Sequence, residues 1–105
     1  MTSVKLCISC LSEKQSSEIK KILLRNKLPI ELLEGTFLHQ ECTHLITNTN
    51  PKLEKTEKVL SALARGIPIL DIKDIKNLLK LGDAKKMCDE EYLRQYDIGG
   101  KITFI

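Results

Sequence analysis

The chain has 105 residues, a formal net charge of +3, 42% apolar and 30% charged residues, and 4% aromatics with no Trp. That length suits one domain with an aliphatic core, and charges of both signs are too interspersed for the dense basic face of a duplex-binding domain. No apolar run approaches the roughly 20 residues that span a bilayer, and the N-terminus lacks a charged-then-apolar leader, so the expectation is an intracellular protein with no membrane attachment.

Val4, Leu6 and Ile8 alternate with Lys5, Cys7 and Ser9, the period of a strand whose two faces differ in burial. Ser12 followed by Gln15 forms a capping box, opening a helix with Ile19, Ile22 and Leu23 on its core face and Asn26 to Pro29 at its end. Ile30 to Leu33 reads as a second strand, completing a βαβ unit. Gly35 to Glu41 reads as a polar loop with Phe37 as its apolar anchor, and Thr43 to Thr47 as a third, β-branched strand.

Asn48 to Pro51 turns the chain. A second helix can start at Asn50 or at Thr56; the later start is preferred, with Lys52 to Lys55 as loop. Val59, Leu60, Leu63 and Ala64 give this helix an apolar stripe, and Gly66 supplies the left-handed residue that stops it. Ile67, Ile69 and Leu70 then read as a buried strand, with Pro68 tolerable near its start or on an edge. Asp71 offers an N-cap and Asp74 a first-turn carboxylate for a third helix, whose stripe of Ile72, Ile75, Leu78 and Leu79 ends before Gly82. Farther on, Tyr92 and Leu93 are expected to pack back on the domain. The domain is assigned to residues 1–96, and residues 97–105 to a tail that forms a hairpin around Gly99 and Gly100 or begins a further module. Alternation of strand and helix makes the class α/β.

Cys7 and Cys10 form a CxxC, which raises a zinc site, completed by Cys42 with Cys88 or by His39 and His44, and a thioredoxin-like redox pair. Neither is favoured. Two cysteines three apart on a strand tend to face opposite sides, and the Ser12 cap leaves Cys7 far from the helix N-terminus that a reactive thiol needs. His44 sits among apolar and β-branched residues and reads as a core histidine hydrogen-bonded to backbone, with no nucleophile at a recognisable spacing. Enzyme motifs are absent, and no cofactor or metal is expected.

One anion-binding arrangement follows from layout. In an open parallel sheet, ligands bind where strands end and helices begin, so Ser9 and Cys10 share an edge with Thr56, Glu57 and Lys58 if the first and third strands are neighbours. The Ser9 hydroxyl, the Cys10 amide, the second helix's first amides and the Lys58 ammonium would each favour a phosphate dianion. Lys14, Lys55 and Thr56 flank this set as secondary candidates.

Five stretches together resemble the BRCT repeat: Ser-x-Leu-Ser at Ser9 to Ser12, Thr-His-Leu-Ile at Thr43 to Ile46, Lys-Thr-x-Lys at Lys55 to Lys58, Ala-x-Gly-Ile-Pro-Ile-Leu at Ala64 to Leu70 and Glu-Glu-Tyr-Leu at Glu90 to Leu93. The resemblance implies a four-stranded parallel sheet, order 2-1-3-4, with the first and third helices on one face and the second on the other. It also implies a non-enzymatic phosphopeptide-binding or docking module of nuclear DNA repair, replication and checkpoint proteins. By position, Ser9 matches the phosphate-contacting hydroxyl, Cys10 the residue whose amide does so, and Lys58 the helix-start lysine. The implied partner is a phosphorylated protein. Alternatives are a phosphate-independent scaffold that pairs with another BRCT repeat, and contact with DNA ends. Three positions depart from the family: Cys10 stands where Gly is usual, Asp74 where the third helix usually carries Trp, and Gln15 and Ser16, with Lys14 nearby, where a basic residue often lies.

Overall fold

The computed structural model describes residues 4–49, 54, 56–80, 82 and 84–99. The elements in order are β1 (Lys5–Ser9), α1 (Glu13–Arg25), β2 (Glu31–Leu33), β3 (His44–Thr47), α2 (Glu57–Arg65), β4 (Ile69–Asp71) and α3 (Ile72–Lys80). A 3₁₀ turn over Ala84–Cys88 and a short α4 (Glu90–Arg94) follow. All strand pairs are parallel and the sheet order is β2-β1-β3-β4, as the sequence led us to expect.

The two faces of the sheet carry separate apolar layers. Leu6, Ile8, Ile46 and Leu70 pack with Ile19 and Leu23 of α1 and with Ile72, Ile75 and Leu78 of α3. Cys7, Leu45 and Ile69 pack with Val59 and Ala62 of α2 on the other side. β1 is therefore covered on both faces, and the expected contrast in burial between its alternate residues gives way: Cys7 and Ser9 are buried along with Leu6.

Local chemistry explains the helix ends. Ser12 Oγ accepts from the Gln15 amide at 3.1 Å while Gln15 Oε1 accepts from the Ser12 amide at 3.0 Å, which completes the capping box. Thr56 caps α2, and Gly66 closes it at φ 70°. Asp71 Oδ1 accepts from the Lys73 amide at 3.1 Å at the start of α3.

Two packing expectations are corrected. Phe37 is 64% exposed, and the loop is anchored by Leu38, which packs against the α2-side layer. On α2, Val59 and Leu63 face the core as expected, but Leu60 and Ala64 face solvent and Ala62 takes their place, a rotation of about 80°, under a quarter of a turn. The segment after α3 contributes more to the core than the sequence suggested, since Met87 and Leu93 are both buried against α3, with Tyr92 and Tyr96 beside them. Beyond α4, the Ile98 amide donates to the Ile69 carbonyl at 2.8 Å and Asp97 Oδ1 accepts from the Ile69 amide at 2.9 Å, so this segment occupies the open edge of β4. The loop expected at Lys52 to Lys55 and the hairpin expected past Gly99 lie largely outside the described residues.

Candidate functional site

Ser9 ends β1 on the face that α2 covers, because it follows Cys7 at a spacing of two. Its hydroxyl lies 2.8 Å from Thr56 Oγ1. Thr56 in turn accepts from the Val59 amide at 3.3 Å, so the α2 cap and the end of β1 share one hydrogen-bonded unit. Lys58, the second residue of the helix and half-buried, reaches back to donate from Nζ to the Ile8 carbonyl at 3.0 Å. Cys10 follows in the left-handed region at φ 57°, exposed, with its sulfur 3.8 Å from Ser9 Oγ.

Thus Ser9, Cys10, Thr56 and Lys58, separated by up to 49 residues in sequence, meet at one edge of the sheet. Lys14 lies exposed in the first turn of α1, where its charge acts on Glu18. Lys55 falls outside the described residues.

Residues 1–79, from before β1 into α3, match the family model of the BRCA1 C Terminus (BRCT) domain. The chain belongs to the BRCT family. BRCT domains are protein-interaction modules, in general without enzymatic activity, of DNA-damage and cell-cycle proteins. No curated protein matches the chain.

In the BRCT frame two departures from the family acquire structural content. Cys10 has the positive φ that favours Gly, so its Cβ carries a steric cost that glycine would avoid. Asp74 is half-buried near Tyr96, whose hydroxyl lies 3.2 Å from that of Tyr92, and the neighbouring core is built from Met87 and Leu93.

One residue at this edge escaped the sequence reading. Thr47 pairs in register with Ser9 and is wholly buried, yet its hydroxyl has no partner among the described residues. Its place follows from the alternation in Thr43 to Thr47, which puts it on the same face as Leu45. Farther along the same edge, Asp71 is in register with Thr47 and binds the Thr49 hydroxyl. It sits two strands from β1, roughly 10 Å at a spacing of about 4.8 Å.

The CxxC thiols are separated. Cys7 is buried under α2 beside Cys42, whereas Cys10 is exposed at the strand end. Burial, with the Cys7 thiol as neighbour, pushes Cys42 up to about 12, and its Sγ donates to the His44 carbonyl at 3.1 Å. Among the described residues no group of three or more His, Cys, Asp and Glu is placed to hold a metal ion. His44 is buried as expected; its Nδ1 lies 2.8 Å from the Thr43 hydroxyl, and the Glu90 backbone also bears on the ring.

Proposed function

We propose that this BRCT domain docks a partner protein through a phosphoserine or phosphothreonine bound at the end of β1. The observation that carries the reading is the Ser9–Thr56 hydrogen bond at the N-terminus of α2, with the Lys58 ammonium on the adjoining Ile8 carbonyl. Thr56 Oγ1 already accepts from the Val59 amide, so its own proton can go to Ser9 Oγ. The Ser9 proton, directed at the Cys10 sulfur 3.8 Å away, can then turn to a phosphate oxygen.

Lys58 spends one of three donors on Ile8 and keeps two, with its full charge, for the ligand. The Cys10 amide and the positive end of the α2 dipole add to the same preference for an anion. A phosphoryl group carries nearly two charges at neutral pH, so every one of these groups favours it over the unmodified hydroxyl. Under this reading the protein works in the nucleus, where DNA repair, replication and checkpoint proteins supply phosphorylated partners.

Titration of phosphorylated and unphosphorylated versions of the same library peptides tests the proposal. Phosphopeptides should bind more tightly, and Lys58→Ala should remove about 1.5 to 3 kcal/mol of that preference, about 10- to 150-fold in Kd. Equal affinity for both peptide forms would end the phosphate reading.

A further inference from the structure

Away from the β1 edge, α1 and α3 lie on the same face of the sheet, and between them runs a groove of about 520 Å³. It is lined by Glu18, Lys21, Ile22, Arg25, Lys76 and Lys80. Lys76 Nζ sits 3.0 Å from Glu18 Oε2 and ties the two helices across it, and the hydrogen bond to Lys76 holds the Glu18 carboxyl below its ordinary range. Lys21, Arg25 and Lys80 form no ion pair among the described residues. The groove therefore sets four cations against one carboxylate, Glu18, whose charge Lys76 and Lys21 share, with half-buried Ile22 among them.

Helix dipoles account for only part of this pattern. Arg25 and Lys80 stand in the last turns of their helices, where a cation is stabilising on its own. Lys21 is a turn earlier, and the spacing 18, 21, 22, 25 places it on the same stripe as Arg25, turned toward α3. Like charges gathered in this way repel one another until an anion intervenes.

We propose that this groove binds an acidic peptide segment of a partner protein, one that carries an apolar side chain among its carboxylates. The cations match the carboxylates, and Ile22 offers the apolar contact. Ile22 separates this occupant from a phosphodiester backbone, which has no apolar side chain to place against it. This site shares no residue with the phosphate-binding set at Ser9, Cys10 and Lys58, so either can fail without the other.

The test is an NMR titration of the isotopically labelled full chain with the blocked peptide Glu-Glu-Leu-Glu-Glu at low ionic strength. Saturable shifts should map to residues 18–25 and 76–80 and leave Ser9 and Lys58 unmoved. Affinity should fall about tenfold when Lys21→Glu and Arg25→Glu are combined, and should weaken as the Debye length shrinks to about 8 Å at physiological salt. Replacing the central Leu of the probe with Ala should weaken binding. Absence of shifts in the groove, equal binding by the charge-reversed chain, equal binding by the Ala probe, or stronger groove shifts with duplex DNA would each overturn the proposal. Both exposed substitutions are expected to leave the circular dichroism spectrum unchanged.

Discussion

Cys10 shows what a single Cβ does at the candidate phosphate site. A non-glycine residue at φ 57° carries a steric cost of about 1 to 2 kcal/mol, because its Cβ crowds the neighbouring backbone. Glycine has no such crowding but loses more freedom on folding, so Cys10→Gly should raise stability by about 1 kcal/mol in a urea titration. The same change takes away the sulfur 3.8 Å from Ser9 Oγ and leaves the amide in place. Phosphopeptide affinity should be retained or increased. A variant less stable than the parent would show that the thiol's contacts outweigh the backbone cost. None of this was readable from the residue itself, since a CxxC pattern directs attention to sulfur chemistry while the exposed position and the backbone angle direct it to the turn.

Among the elements, α2 joins fold to candidate site, because Thr56 is both its cap and the partner of Ser9. Thr56→Ala should cost about 1 kcal/mol of stability through the lost cap and should weaken phosphopeptide binding by freeing the Ser9 hydroxyl. Thr56→Ser keeps the oxygen and should restore both, as thermal melts and peptide titrations would check; rescue of the melt without rescue of binding would separate the two roles. The start of α2 was legible because a hydroxyl before an acidic first turn is a local signal, as was the Ser12–Gln15 box, and Gly66 marked the end equally well. Packing was less legible. Leu60 and Ala64 fit a helical stripe as well as Ala62 does, and only the docking of α2 on Cys7, Leu45 and Ile69 chooses between them. Phe37 and Leu38 are adjacent in an aperiodic loop, so nothing local says which turns inward. Ser9, Cys10 and Lys58 were legible as a group once the first and third strands were taken as neighbours, whereas the Thr47 hydroxyl between strands required the register itself.

At the scale of the whole molecule, His44 couples the sheet to the segment after α3 and makes folding stability depend on pH. Thr43 Oγ1 accepts from the Lys5 amide at 2.8 Å and lies 3.0 Å from the Lys5 carbonyl. His44 Nδ1 lies 2.8 Å from the same oxygen, and which of the two donates depends on the imidazole tautomer. Nε2 is buried without a partner among the described residues. Burial lowers the His44 pKa from 6.5 and outweighs the opposing pull of Glu90 and Asp97, with Arg94 adding to the lowering. The unfolded chain consequently takes up the proton first, and stability rises with pH where the unfolded state binds more protons. The contribution is complete above about pH 7.5, declines as pH falls through 6.5, and stops changing below the depressed folded value. Glu18 and Glu34 are also held low by their lysines, but their effect belongs to more acidic solutions, below 4.5. Urea midpoints measured from about pH 7.5 to about pH 5 should fall for the parent chain and stay flatter for His44→Gln. The His44 ring resonance should meanwhile titrate below the ordinary histidine range, a readout that does not require the variant to fold. A ring that titrates at 6.5 or above, with a parent midpoint that does not move over this interval, would mean that the buried Nε2 imposes no penalty on the protonated form.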